Sequence, residues 1–425
     1  MNVLLTGATG FIGRHLAHAL AGAGHEVICA VRNRKAASAL HAECRYVEAD
    51  FTLDFEASDW LPRLAGVDTV INAVGILRER GQQTFEAIHM RAPCALFSAC
   101  AIANIKVIQI SALGADANAA SRYHKSKRQA DEVLLALCDS AVVVQPSLVY
   151  GQDGTSAKLF TLLASLPLVP LPGRGDQLVQ PIHIDDLVPS LLRLVDEDLY
   201  RKCRIPLVGP KPITLHSFLA TLRQTMRLGN GIFVPMPAIV MNIAAWIGAV
   251  LPGGLLDRET LQMLRRGSTA DADTTRQLLG HAPRPVTAFI TPGEADGVRI
   301  AAQLGWLLPL LRLSIALVWI FTGIMSLGLY PIEQSYALLA HVGLTGWLAT
   351  LALYGAALLD LALGIAILVC KRRRLLWIAQ VAVIFLYMGI ISLRIPEFWL
   401  HPFGPILKNL PILAAIWILY ELERC

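Results

Sequence analysis

The chain has 425 residues, of which 55% are hydrophobic and only 16% charged, with a formal net charge of +5. That length allows two or three domains, and a mean hydropathy of +0.52 is too apolar for a chain lying wholly in water. The small charge, and the lack of any Lys/Arg run interleaved with aromatics before about residue 300, exclude nucleic acid as a partner.

Charged residues recur up to about Arg299, whereas Trp306 to Tyr420 holds long uncharged stretches, so the predicted division is 1–300 and 301–425. Cys29, Cys44, Cys94, Cys100, Cys138, Cys203, Cys370 and Cys425 form no CxxC and no metal-ligand spacing with His. No metal site is expected, and the thiols read as reduced, mostly buried groups of a cytosolic domain. The N-terminus runs directly into a strand, without the basic, apolar and small-residue regions of a secretory signal, which predicts a first domain in the cytosol.

Asn2 to Thr6 has the apolar character of a buried parallel strand. It leads into Gly7-Ala8-Thr9-Gly10-Phe11-Ile12-Gly13 and then a helical pattern from Arg14 to Ala23. Gly7 and Gly10 let the backbone turn tightly against a pyrophosphate held by helix N-terminal amides, and Gly13 lets helix and strand pack closely. Thr9, Phe11 and Ile12 complete this cofactor-binding turn. Short apolar runs at Glu26 to Val31, Val67 to Val74, Lys106 to Ser111 and Ala141 to Pro146 alternate with helical patterns. The predicted fold class is therefore α/β, a Rossmann-type doubly wound parallel sheet with a small substrate lobe mainly within 152–300.

Arg32 and Arg34 follow the second strand, where an NAD site usually presents a carboxylate to the ribose 2′-OH; they either hold a 2′-phosphate or are solvated loop charges. NADP(H) is the predicted cofactor, with NAD(H) as the alternative. Asp50 and Phe51 at the end of the third strand, and Ala73, Val74 and Gly75 at the end of the fourth, either meet the cofactor or form strand-end turns.

Tyr123 and Lys127 stand four apart on a helix from Tyr123 to Leu137, on one face, with Ser111 at the end of the preceding strand. Hydride transfer at a carbonyl or alcohol needs a proton donor or acceptor. A tyrosine serves when an ammonium tunes it and a serine hydroxyl orients the substrate oxygen.

The glycine turn, Ser111, the Tyr123/Lys127 pair, Gln145-Pro-Ser-Leu-Val-Tyr-Gly151 and Pro181-Ile-His-Ile-Asp-Asp-Leu187 together resemble the extended and atypical short-chain dehydrogenase/reductases over about residues 1 to 300. Ser111-Ala-Leu-Gly-Ala and Ser121 to Lys127 look most like the branch related to the nucleotide-binding accessory subunit of respiratory complex I, whose members often hold NADPH without known turnover. The resemblance implies that Lys127 contacts the nicotinamide ribose, that Pro146, Ser147 and Val149 fall near the nicotinamide, and that His183 to Asp186 lies beside the cleft. From the residues alone, His183 to Asp186 is an N-cap for a helix over Leu187 to Val195.

Gly229 to Leu256 holds no charged residue, and its proline-bounded part, Pro235 to Pro252, reads as a helix lying in the membrane interface or capping the substrate cleft. An all-α transmembrane bundle of four helices is predicted beyond it, at about 309–329, 345–369, 375–393 and 405–420. Four spans place Lys371 to Arg374 and both termini in the cytosol, with the protein in the inner (cytoplasmic) membrane. Asp360 would pair structurally across helices, with Arg312, Arg394 or Lys408 as candidate partners. This half resembles the small DoxX-like membrane domains through Arg312 to Trp319, Leu359 to Gly364 and Pro396 to Pro411.

The function expected from these features is a membrane-anchored NADPH-dependent oxidoreductase acting on a small lipophilic carbonyl or quinone-like substrate. Tyr123 would be the proton donor, with Lys127 lowering its pKa and Ser111 orienting the substrate. Two alternatives stay open: a non-catalytic NADPH-binding subunit docked on a membrane complex or forming a homo-oligomer, and a sugar-nucleotide epimerase. The lipid bilayer is a partner in each membrane-bound reading.

Overall fold

A computed structural model describes residues 1–33, 43–198, 200–250, 258–400, 402 and 404–423; Arg34 lies outside the described residues. The chain divides into two compact units, Met1–Ala302 and Gln303–Cys425.

The first unit is built on β1 (Asn2–Thr6), β2 (Glu26–Val31), β3 (Arg45–Glu48), β4 (Thr69–Asn72), β5 (Lys106–Ile110), β6 (Ala141–Pro146) and β7 (Cys203–Leu207). They form one sheet in the order β7-β6-β5-β4-β1-β2-β3, all parallel. Alternate residues of each strand enter different cores: Val3, Leu5, Val142 and Val144 face one, Leu4, Ala141 and Val143 the other. Burial on both faces is why these strands read as unbroken apolar runs.

Helices α1 (Phe11–Gly22) and α5 (Ile184–Asp196) cover one face, and α2 (Ala92–Ala103) and α3 (Arg122–Leu137) the other. Strand order reverses between β1 and β4. That reversal opens a crevice at their C-terminal ends, the place where such sheets bind ligands. A second lobe, with α4 (Thr155–Ser165) and α6 (Leu215–Thr225), packs on a third core around Tyr150, Phe218 and Phe289.

The uncharged stretch contains α7 (Ala238–Val250), as its proline boundaries predict, followed by α8 (Arg258–Arg266). Met241 of α7 packs against Leu261 of α8.

Among the described residues, three helical stretches are long and apolar enough to cross a membrane: Ala295–Leu329, which begins in the last residues of the first unit, Gly346–Val369 and Arg374–Arg394. They contain α9 (Ala295–Ile324), α11 (Gly346–Val369) and α12 (Arg374–Arg394); α10 (Ile332–His341), between the first two, went unread in the sequence. The fourth expected span, 405–420, is a shorter helix, α13 (Asn409–Leu422), of 14 residues. Such a helix rises about 21 Å, short of a hydrocarbon core of about 30 Å.

Gly364 lets α11 approach the Ala316–Ile320 segment of α9, since a Cβ there would lie 2.6 Å from Ile320 Cγ1 and 3.0 Å from the Ala316 carbonyl. Small residues permit such close helix crossings in membranes. Trp319 Nε1 donates to Gln380 Oε1 at 2.9 Å, joining α9 to α12.

Asp360 does not meet Arg312, which pairs with Glu423 instead. The buried Asp360 carboxylate accepts a long, 3.5 Å bond from the Tyr387 hydroxyl. A phenol on α12 is available to Asp360, whereas Arg312 lies at the bundle end beside Glu423. The Arg374 guanidinium lies 5.2 Å from the Tyr420 ring centroid and donates to its hydroxyl. Arg312, the basic turn before α12 and the end of α13 therefore share one end of the bundle.

Candidate active site

The glycine turn is shaped by contacts that leave no space for a side chain. Gly7 adopts φ +75°, and a Cβ there would stand 2.7 Å from Ala73 C and O. A Cβ on Gly13 would stand 2.0 Å from Gly7 O, so strand and helix touch. Gly10 begins α1 without a side-chain cap. The first amides of α1 thus remain available to an anion, and these residues fit a dinucleotide pyrophosphate. Thr9 and Gly10 are exposed at the turn, with Phe11 and Ile12 half-buried.

Phe11 is turned toward the second lobe. A Cβ on Gly151 would lie 2.8 Å from Phe11 Cζ, and Asp153 pairs with both Arg14 and His15. The loop Gly151–Gly154 thereby clasps the start of α1, a contact that α1's own sequence does not reveal.

Arg32 is exposed just beyond β2. Both its Nη atoms lie within 2.9 Å of the Gln83 amide oxygen, once that amide is oriented to accept. Asp50 accepts from Thr52 N and Oγ1, and Phe51 is buried edge-on against Trp60 at 5.3 Å. This pair forms a strand-end turn with Phe51 in the core. Ser147 Oγ donates to the Gln180 carbonyl at 2.5 Å, Pro146 O accepts from Leu113 N, and Val149 pairs with Ile182. His183 caps α5 as expected, its Nδ1 accepting from Asp185 N at 3.2 Å, but the helix begins at Ile184 rather than Leu187, so Asp185 and Asp186 lie in its first turn.

The chemistry-bearing side chains converge at the C-terminal ends of β4 and β5. Lys127 is buried, and its Nζ donates to the Val74 carbonyl at 3.2 Å and the Ile110 carbonyl at 3.1 Å. Gly75 leaves room for it, since a Cβ there would lie 3.2 Å from that Nζ. Ser111 Oγ donates to Asp131 Oδ2 at 2.5 Å.

Asp131 escaped the sequence reading. It stands four residues past Lys127 on α3, fully buried, and its Oδ1 meets no hydrogen-bond partner among the described residues. Burial pushes its carboxyl up to about 7 against the opposing pull of Ser111 and Lys127. Burial also lowers the Lys127 ammonium to about 8, with Asp131 resisting.

His89, on the π-helical turn Glu86–Arg91, also escaped it. Its Nε2 accepts from Ile76 N at 3.0 Å, which assigns the proton to Nδ1, and that atom lies 2.8 Å from Ser126 Oγ. Burial, then the neighbouring Lys127, drives this imidazole down to about 2, so it is neutral. The Tyr123 ring packs edge-on against His89 at 5.4 Å and Phe85 at 6.2 Å. Burial, then Asp131, pushes the Tyr123 phenol up to about 12, so the expected lowering by Lys127 is not what this arrangement gives.

A doubly wound sheet with a glycine cradle at its switch point defines a Rossmann-type nucleotide-binding protein. Residues 3–202 match the NAD dependent epimerase/dehydratase family, and residues 316–417 match the DoxX-like family. The chain thus carries an extended short-chain dehydrogenase/reductase domain of the epimerase/dehydratase family joined to a C-terminal DoxX-like domain.

A ceramide reductase of Caulobacter vibrioides is 31% identical over 210 residues, covering 49% of this chain and 62% of that protein. The mitochondrial NADH dehydrogenase (ubiquinone) 1 alpha subcomplex subunit 9 of Arabidopsis thaliana is 26% identical over 231 residues, covering 52% and 57%. The chain spans less than two thirds of either relative's length. A nucleoside-diphosphate-sugar epimerase of Staphylococcus aureus superposes with a TM-score of 0.56 at 18% identity, over 68% of this chain and 99% of that one, a likeness of fold.

Proposed function

We propose that the protein is a membrane-anchored, NADPH-dependent reductase of a lipophilic carbonyl compound, such as the keto group of a long-chain lipid. The observation that carries this reading is that Lys127 is held at the ends of β4 and β5 while Ser111, closing β5, bonds Asp131 of the same helix; Tyr123 stands one turn before Lys127 on that helix, its ring against His89. Likeness to a ceramide reductase supports the substrate class. The bound nucleotide would supply hydride. Lys127, fixed by two carbonyls, would face the nicotinamide ribose, and Tyr123, whose phenol stays protonated at neutral pH, would give its proton to the forming alkoxide. A neutral phenol suits reduction better than oxidation.

Ser111 spends its hydroxyl proton on Asp131, so its oxygen must re-pair before it can donate to a substrate. That engagement favours the second reading, a subunit that holds NADPH without turning it over.

Arg32 supports NADPH over NADH, since a guanidinium suits a 2′-phosphate. Loss of that contact in Arg32→Ala should cost on the order of 1.5 to 3 kcal/mol, or tenfold or more in NADPH affinity; equal NADH and NADPH affinities in the wild type would refute the preference. In the membrane half, the shared bundle end of Arg312, the basic turn and Glu423 supports an even number of crossings, with the nucleotide domain and both termini in the cytosol.

Tyr123→Phe tests the enzymatic reading. It should leave NADPH affinity unchanged and lower NADPH oxidation, with lipophilic ketones presented in membranes, by about 10² to 10⁴. Slow oxidation that ignores the substitution, together with strong stabilisation by NADPH, would favour the binding subunit instead.

A further inference from the structure

The α7–α8 pair has an apolar outer face and an inner face tied to the catalytic residues. Ile239, Ile243 and Trp246 follow one another at helical spacing on α7 and are 73%, 54% and 60% exposed, with Val240 beside them. No charged residue occurs from Gly229 to Leu256. A contiguous exposed apolar face of this kind marks a contact surface, and Trp suits the polar–apolar boundary of a bilayer.

On the other side, α8 is fastened at both ends to the segment between Ser111 and Tyr123. Glu259 Oε2 accepts from Tyr123 N at 3.5 Å. Arg266 donates to the Gly114 carbonyl at 2.7 Å and to Asp116 Oδ1 at 2.6 Å. Met241 and Leu261 join the two helices. A surface helix is thus one helix away from the proton donor.

We propose that α7 lies in the bilayer surface, with Ile239, Val240, Ile243 and Trp246 in the acyl boundary, so that the mouth of the Ser111–Tyr123 site opens onto lipid. The occupant of this face is the bilayer itself. Three helices among the described residues are long and apolar enough to cross a membrane, which would tether the first unit at a lipid surface. A helix that is apolar by composition apart from Asn242, without charge of its own and with arginines on the adjoining α8, fits the interface between acyl chains and headgroups. The consequence for substrate rests on the reductase reading: a carbonyl lipid would reach Tyr123 from the membrane, without passing through water.

The surface is tested apart from catalysis. The full chain, reconstituted in phosphatidylcholine vesicles, carries the photocrosslinker benzoylphenylalanine at position 243 or, as a control, at Leu53, which is 67% exposed elsewhere on the first unit. Lipid adducts at 243 and none at 53 are expected by mass spectrometry. Adducts to a second copy of the chain, equal lipid labelling at both positions, or none at either would overturn the proposal.

A second measurement addresses the route. Trp246→Glu should raise KM at least tenfold for a ketone embedded in the vesicles while leaving a short water-soluble ketone unchanged; an equal effect on both, or none on either, would overturn lipid entry. Lipid adducts at 243 in a protein that oxidises no NADPH would uphold the membrane surface and refute the reductase.

Discussion

In the nucleotide-binding half, charged side chains are buried around an open crevice: Lys127 leans on two main-chain carbonyls, and Asp131 holds Ser111 while one carboxylate oxygen meets no partner among the described residues. In the membrane half, the buried contacts are mostly between neutral dipoles on facing helices, as in Trp319 with Gln380; Asp360 is the exception, and it accepts from a phenol. Burying an ion costs far more than burying a dipole. The first arrangement therefore holds its groups away from their ordinary protonation behaviour, while the second mainly fastens helices to one another.

The sharpest way to break that contrast is to neutralise Asp131. Its carboxyl is raised from 3.8 to about 7, so the folded state favours the protonated form. That contribution to stability is complete below pH about 4 and is lost as pH rises toward 7, with a slope of up to about 1.4 kcal/mol per pH unit. Asp131→Asn cannot titrate. Its melting temperature should therefore gain on the wild type steadily from pH 4 to 7, measured on the purified full chain. Parallel curves across that window would show that Asp131 is not held out of its normal range.

A smaller effect is expected in the other half. Gln380→Leu removes the acceptor of Trp319 and should destabilise the membrane bundle by about 0.6 to 2 kcal/mol, read by denaturant titration in detergent. NADPH affinity should be unchanged. A tenfold loss of affinity would mean that the two halves do not divide their labour in this way.

The same contrast explains what was legible. Gly7, Gly10 and Gly13 were readable because a tight turn and a close helix–strand contact demand glycine itself, whatever surrounds them. The parallel sheet was readable because strands buried on both faces must be apolar throughout. Asp131 was not: four residues after a lysine on a helix, an aspartate looks like an ordinary surface pair, and only the packing of α3 on the sheet buries it beneath Ser111. His89 was hidden for a similar reason, since its partner Ser126 lies 37 residues away on another helix.

Phe11 sits in the glycine motif, yet its ring serves the second lobe, because the chain returns at Gly151 to meet it. In the membrane half the three long spans were plain from apolar length. The partner of Asp360 was misjudged because charge complementarity pointed to Arg312, whereas α12 supplies the Tyr387 phenol.

The central claim is that this site moves hydride from NADPH to a lipophilic carbonyl, and the direct measurement is the fate of a deuterium label. The full chain in membranes would be given NADPH deuterated at the transferable position of the nicotinamide and a long-chain keto lipid, with the lipid then examined by mass spectrometry. One deuterium is expected at the new carbinol carbon, with NADP⁺ formed in equal amount and both lost in Tyr123→Phe. Label that stays on the nucleotide, with the lipid unchanged, would contradict it.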